Sequence, residues 1–145
     1  MIRIAVKDDY SHLIDIWLEA SIKAHYFIDS SYWINNAQKM KDTYLPSSET
    51  WVLEVESHTI TGFVSVKEDH IAALFISPAH QGEGCGSTLL QFLKTKYNQL
   101  SLNVYALNEQ AVHFYQKHGF RVVEEMLDEN TGTKDCRMEW KQKYI

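Results

Sequence analysis

Between His70 and Leu90 the chain gathers residue types that can hold an anion. Gly82, Gly84 and Gly86 stand at alternate positions, with Ser87 directly behind them. Ahead of them, residues 71–76 are six apolar residues in a row, closed by Ser77-Pro78. So short a run, stopped by a proline that cannot donate a ladder hydrogen bond, reads as a strand buried on both faces. Behind the glycines, Leu89, Leu90, Phe92 and Leu93 recur at helical spacing. Strand, glycine turn and helix together make an anion site. The first amides of a helix lack internal partners, and its dipole places positive potential there. Glycine lets a phosphate reach the backbone. The expected ligand is a phosphate or pyrophosphate held between Gly82 and Ser87. A tight turn without any ligand is the alternative.

Two nucleotide motifs fail here. The dinucleotide fingerprint G-x-G-x-x-G needs a third glycine where Ser87 or Leu89 stands. The P-loop needs a lysine after its last glycine, and Ser87-Thr88 follow Gly86 instead. What remains is Gln81-x-x-Gly84-x-Gly86.

That pattern resembles the acyl-CoA site of the GNAT N-acetyltransferase superfamily, whose motif is Gln/Arg-x-x-Gly-x-Gly/Ala. The preceding Leu74-Phe75-Ile76-x-Pro78 strand end matches as well. A second stretch is similar to that superfamily's next signature: Asn103-Val104-Tyr105-Ala106-Leu107-Asn108, then Phe114-Tyr115 and Gly119-Phe120. The two segments span residues 71–123. The resemblance implies acetyl-CoA as co-substrate, an amine acceptor and direct acetyl transfer. A non-catalytic acyl-CoA-binding or sensing module is the alternative.

On that resemblance, backbone amides of Leu74, Phe75 and Ile76 lie along the pantetheine arm and face the developing oxyanion. Gln81, Gly82, Glu83, Gly84, Cys85, Gly86 and Ser87 surround the pyrophosphate. Asn108 contacts the cofactor while capping its helix. Tyr115 is the expected acid for the departing thiolate. Periodicity alone would make it a packed helix tyrosine, and the Phe-Tyr…Gly-Phe match reverses that weighting. The base is less plain, because many relatives carry Glu where Asn103 stands, and Asn cannot take a proton. His70 has a suitable ordinary pKa, about 6.5, though it could equally be a solvated turn residue. His25, Phe27 and Asn103 are assigned to the acceptor side. The cluster 25–28 could instead be an aromatic plug over the core.

The surrounding elements must position these groups. Ile2, Ile4 and Val6 alternate as a first strand. Asp8 and Asp9 are candidate caps for a helix with Leu13, Trp17, Ala20 and Ala24 on one stripe. Ser30 or Ser31 caps a second helix carrying Trp33, Ala37, Met40 and Tyr44. Residues 51–56 and 60–67 form a hairpin, and Glu68-Asp69-His70 turns into the central strand. Residues 101–104 make a fifth strand, parallel to the fourth because a helix connects them. Gly119 ends the following helix as a left-handed cap. Residues 120–125 and 136–141 are the last strands, joined by Asn130-Thr131-Gly132. The expected fold is α+β: a mixed, mostly antiparallel sheet with helices on both faces, forming one domain over residues 1–145. The resemblance adds that the parallel pair splays apart.

Composition narrows the partners. The chain has 145 residues and a net charge of −5, from 14 basic and 19 acidic side chains. That balance argues against nucleic acid as the main partner, since phosphate contacts need clustered Lys and Arg. It favours cationic acceptors. No apolar run reaches membrane-spanning length, and no signal-peptide layout is present, so a cytoplasmic enzyme without a membrane partner is expected, monomeric or homodimeric. Seven histidines and two cysteines show no ligand spacing, so no metal is expected. Cys85 is read as a small side chain tolerated between glycines rather than an acyl-carrying nucleophile.

Overall fold

The computed structural model describes residues 1–143. Seven strands form one sheet in the order β1-β2-β3-β4-β5-β7-β6. They are β1 (Ile2–Ile4), β2 (Glu49–Val55), β3 (Thr59–Lys67), β4 (His70–Ile76), β5 (Gln99–Tyr105), β6 (Arg121–Asp128) and β7 (Thr133–Lys141). Helices α1 (Tyr10–Ala24) and α2 (Ser30–Lys39) cover one face, with a π-helical turn, Met40–Tyr44, following α2. Helices α3 (Cys85–Lys96) and α4 (Glu109–Lys117) cover the other. All neighbours are antiparallel except β4 and β5. The expected α+β class with helices on both faces is what the chain adopts.

Period-two patterning sorts the two cores. Val64, Val66, Leu100, Leu102 and Met138 face α3, which contributes Leu89, Leu90 and Leu93. Val52, Phe63 and Ala73 face Leu13, Ile16, Trp17 and Trp33 of α1 and α2. Burying such aliphatic side chains contributes roughly 1.5–3 kcal/mol each.

Several local expectations shift. Asp9 does not cap α1 with its side chain. Its carboxylate accepts from the Val6 amide at 2.8 Å and from Arg3 at 2.9 Å, tying β1 to the turn before α1. Asp29, not Ser30 or Ser31, caps α2, accepting from the Ser31 amide at 2.9 Å. Ala24 and Tyr44 are exposed rather than packed on their stripes. The last two strands do not simply extend the sheet. β7 inserts between β5 and β6, and Gly132 (φ +73°) closes their turn.

The feature that positions the site lies in β4. Ser65 pairs with Ala73 and Val66 with Ile71, so Ala72 is an extra residue, a β-bulge. Bulges bend a strand and interrupt its ladder. β4 and β5 pair only at His70–Ser101 and Ile71–Leu102, and they part where the bulge begins. The splay is therefore written into the register of β4. It also corrects the burial expected for residues 71–76. Only Ile71 and Ala73 are buried, while Leu74, Phe75 and Ile76 are half-buried. Their apolar character serves the wall of an opening as much as the core.

Candidate active site

The gap between β4 and β5 opens a cleft of about 790 Å³. Ile71 to Ile76 form one wall and Leu102 to Tyr105 the other. Past Ile71 the β5-facing edge of β4 has no strand partner. Its free amides and carbonyls can take a ligand with amides of its own, in the manner of an added strand.

At the C-terminal end of β4 the cleft meets the glycine turn. Gly82 (φ +84°) and Gly84 (φ +85°) occupy the left-handed region, and a Cβ at either would find open space. Gly84 is the N-cap residue of α3. Gly86 serves a different need. A Cβ there would lie 3.2 Å from the Phe114 ring, so this glycine allows α4 to close on α3. Gln81 braces the turn: its amide donates to the Ile76 carbonyl at 3.2 Å, and its carbonyl accepts from Lys23 of α1 at 3.3 Å. Ser87 Oγ lies 3.0 Å from His118 Nε2. Gln81, Gly82, Gly84, Cys85, Gly86 and Ser87 all line the cleft. Glu83 is exposed and turns to His80 at 3.2 Å. The Cys85 side chain is buried in the core, leaving its amide at the first turn of α3.

The opposite lip is α4. Asn108 caps it, Oδ1 accepting from the Ala111 amide at 3.3 Å. Gly119 (φ +90°) follows its C-terminus. Tyr115 reaches the cleft between Phe114 and Phe120, with ring centroids 5.3 and 5.6 Å away. Burial alone pushes its phenol well above the usual range, so the group stays protonated.

An aromatic cluster lines another part of the cleft. His25 follows the last residue of α1, stacks on Trp33 at 4.8 Å and meets Tyr105 edge-on at 5.4 Å. Phe27 backs both rings, at 5.7 Å from His25 and 5.8 Å from Tyr105. Asn103 lines the same cleft, and its amide donates to Asp135 of β7 at 2.9 Å. The structure thus brings His25 and Asn103 to one cleft with Tyr115, while Phe27 packs against His25 and Tyr105 and is not itself part of the lining. It does not bring His70 there. His70 begins β4 where the strands are still paired, roughly 20 Å along the strand from Ile76. Its Nδ1 lies 2.8 Å from Ser101 Oγ.

An opened parallel pair, a glycine turn before a helix and a tyrosine helix opposite it have a match among known proteins. The family model of the acetyltransferase (GNAT) domain matches residues 28–142. Peptidyl-lysine N-acetyltransferase YiaC of Escherichia coli is 33% identical over 97% of this chain and 96% of that protein. The chain belongs to the GNAT acetyltransferase family. Peptidyl-lysine N-acetyltransferase YjaB of the same organism is 32% identical over 83% of this chain and 82% of that protein. The solution structure of apo-form YjaB shares a TM-score of 0.87 at 28% identity, covering 99% of this chain and 98% of that one. PaiA N-acetyltransferase from Thermoplasma acidophilum, in complex with coenzyme A, shares the fold, with a TM-score of 0.81 at 22% identity. That likeness covers 97% of this chain and 98% of that one.

This GNAT chain is an N-acetyltransferase, and its family uses acetyl-CoA as donor. Among the described residues, no group of three His, Cys, Asp or Glu side chains could hold a metal ion. No helix among them is long and apolar enough to cross a membrane. Among the cleft residues that sequence reasoning missed are Trp33, Tyr105 and Lys23. Trp33 read as a core residue of its helix, and it is both core and cleft wall. Tyr105 ends β5, and its hydroxyl donates to Asp128 at 2.7 Å. Its place two residues after Asn103, on the same strand face, was the available signal. Lys23 gave none, because only the packing of α1 brings it to the glycine turn.

Proposed function

We propose that this GNAT enzyme transfers the acetyl group of acetyl-CoA directly to the side-chain amine of a protein lysine. The observation that carries the reading is the single cleft that the open glycine turn, Tyr115 and the aromatic group of His25 and Tyr105 line together. Donor and acceptor can be held together in it, and such placement supplies much of a bimolecular rate enhancement.

The residues divide the work. Amides between Gly82 and Ser87 hold the pyrophosphate with the N-terminal field of α3. The unpaired edge of β4 takes the pantetheine arm, and its amides near Leu74 to Ile76 stabilise the oxyanion as it develops. Asn108 orders the start of α4 beside that arm. Tyr115, kept neutral by burial, gives its proton to the departing sulfur and recovers one from the nitrogen that has attacked. The acceptor end is mainly aromatic, suiting the aliphatic stem of a lysine, and a ring face also attracts an ammonium. Similarity to YiaC over nearly the whole of both chains supports lysine over other amines.

The test is thiol release from acetyl-CoA with three acceptors: an N-terminally blocked lysine peptide, a lysine-free peptide with a free N-terminus, and spermidine. Turnover with the blocked lysine peptide, and acetyl on its lysine by mass spectrometry, is expected. Turnover with either other acceptor alone would move the assignment to that amine.

A further inference from the structure

With His70 outside the cleft and Asn103 unable to take a proton, the amine needs another acceptor. We propose that His25 is that group, its Nε2 lone pair receiving the proton of the incoming ammonium. This rests on the acetyl-transfer reading above.

Three hydrogen bonds in series assign the ring. Nδ1 lies 2.8 Å from the Ser21 carbonyl, which can only accept, so Nδ1 carries the hydrogen. Asn108 Oδ1 accepts from the Ala111 amide, so its NH₂ group faces outward. That NH₂ donates to His25 Nε2, which must therefore hold a lone pair. The ring is a neutral imidazole of fixed tautomer, fastened at one nitrogen and lightly engaged at the other. The Asn108 contact is long, at 3.4 Å, so little is lost when the lone pair turns to a better donor.

The surroundings keep it so. His25 is 6% exposed and still lines the cleft. Trp33 of α2 and Tyr105 of β5 enclose the ring, and Lys23 of α1 and Glu109 of α4 are charged residues of the same cleft. Desolvation holds the imidazole below its ordinary pKa, so it stands neutral at pH 7. Once protonated, both ring nitrogens are donors, and Nε2–H would face the Asn108 donor. The cation is thus disfavoured and passes its proton to solvent at the cleft mouth. The balance closes: one ammonium proton leaves by His25, and the second, released after attack, reaches the thiolate through Tyr115.

The experiment is kcat/KM against pH with the lysine peptide, for wild type and His25→Gln. Wild type should show an acid limb with its inflection below about 6.5, where the imidazole charges. His25→Gln should lose that limb and about 10²- to 10⁴-fold of rate at pH 7, with acetyl-CoA affinity unchanged within a few-fold. Nitrogen-15 imidazole spectra of the wild type provide a readout that needs no variant. They should show neutral His25 with its hydrogen on Nδ1 at pH 7. A limb that persists in His25→Gln, a limb that vanishes in Asp135→Asn instead, or an Nε2–H tautomer overturns the proposal. Absence of wild-type turnover with every amine would overturn the acetyl-transfer reading instead.

Discussion

The three glycines of the turn look alike in the sequence and differ in their physical duty. Gly82 and Gly84 hold left-handed backbone and open space, whereas Gly86 yields room to Phe114. A side chain at Gly84 would fill the open space in which the proposed function places a pyrophosphate. Gly84→Glu should therefore lower acetyl-CoA affinity at least about tenfold, or about 1.4 kcal/mol, measured by titration calorimetry on a folded variant. Unchanged affinity would remove the pyrophosphate from this turn. Most of this was legible from residue type and spacing. The division of labour was not, because it depends on where α4 packs. The same holds for His25, whose place in the chain says nothing of the Ser21 carbonyl or of Asn108, 83 residues away.

Among the elements, β4 decides most. Its boundaries and its neighbours in chain order were readable from an apolar run between a turn and a proline. The bulge at Ala72 was not, since one extra residue in a ladder leaves no mark in a uniformly apolar run. β7 lying between β5 and β6 was equally hidden, because strand order is a property of the whole sheet. Gly62 of β3 shows how closely this region is built. A Cβ there would come within 2.9 Å of the Phe75 carbonyl oxygen and would also collide with Ile76 Cδ1. Gly62→Ala must push β3 from β4 beside Ile76, in the wall of the cleft. Overpacking of this kind typically costs about 1–3 kcal/mol. Thermal unfolding should fall by several degrees, given about 2–4 °C per kcal/mol at this size. A variant as stable as wild type would show that the strands part without strain.

For the whole molecule, the N-terminal strand is pinned by charge. Arg3 reaches Asp9 at 2.9 Å and Glu54 at 3.0 Å, joining β1 to the turn before α1 and to β2. Its guanidinium holds both carboxylates below their ordinary pKa values. Depressed folded values mean the unfolded chain binds protons first on acidification. The pair's stabilisation is present above about pH 4.3 and fades as pH falls through the folded values. Arg3→Ala should therefore unfold at lower temperature than wild type near pH 6, with the gap narrowing as pH falls below about 4.3. A gap independent of pH would make Arg3 a packing residue. Donor binding acts on the same scale. At 100 times its Kd, coenzyme A should stabilise the fold by about 2.7 kcal/mol, read as a rise in unfolding temperature. No rise at saturating coenzyme A would contradict the cleft as its site.

In the proposed mechanism Tyr115 works on the chemical step within an acetyl-CoA cleft. Tyr115→Phe keeps the ring between Phe114 and Phe120 and removes only the hydroxyl, so the fold should survive. Steady-state kinetics with the lysine peptide, alongside acetyl-CoA titration, separate the possibilities. A fall in kcat of about 10²- to 10⁴-fold is expected, with KM and the acetyl-CoA Kd moving only a few-fold. Retained kcat with lowered stability would make Tyr115 a core residue and remove it from the chemistry.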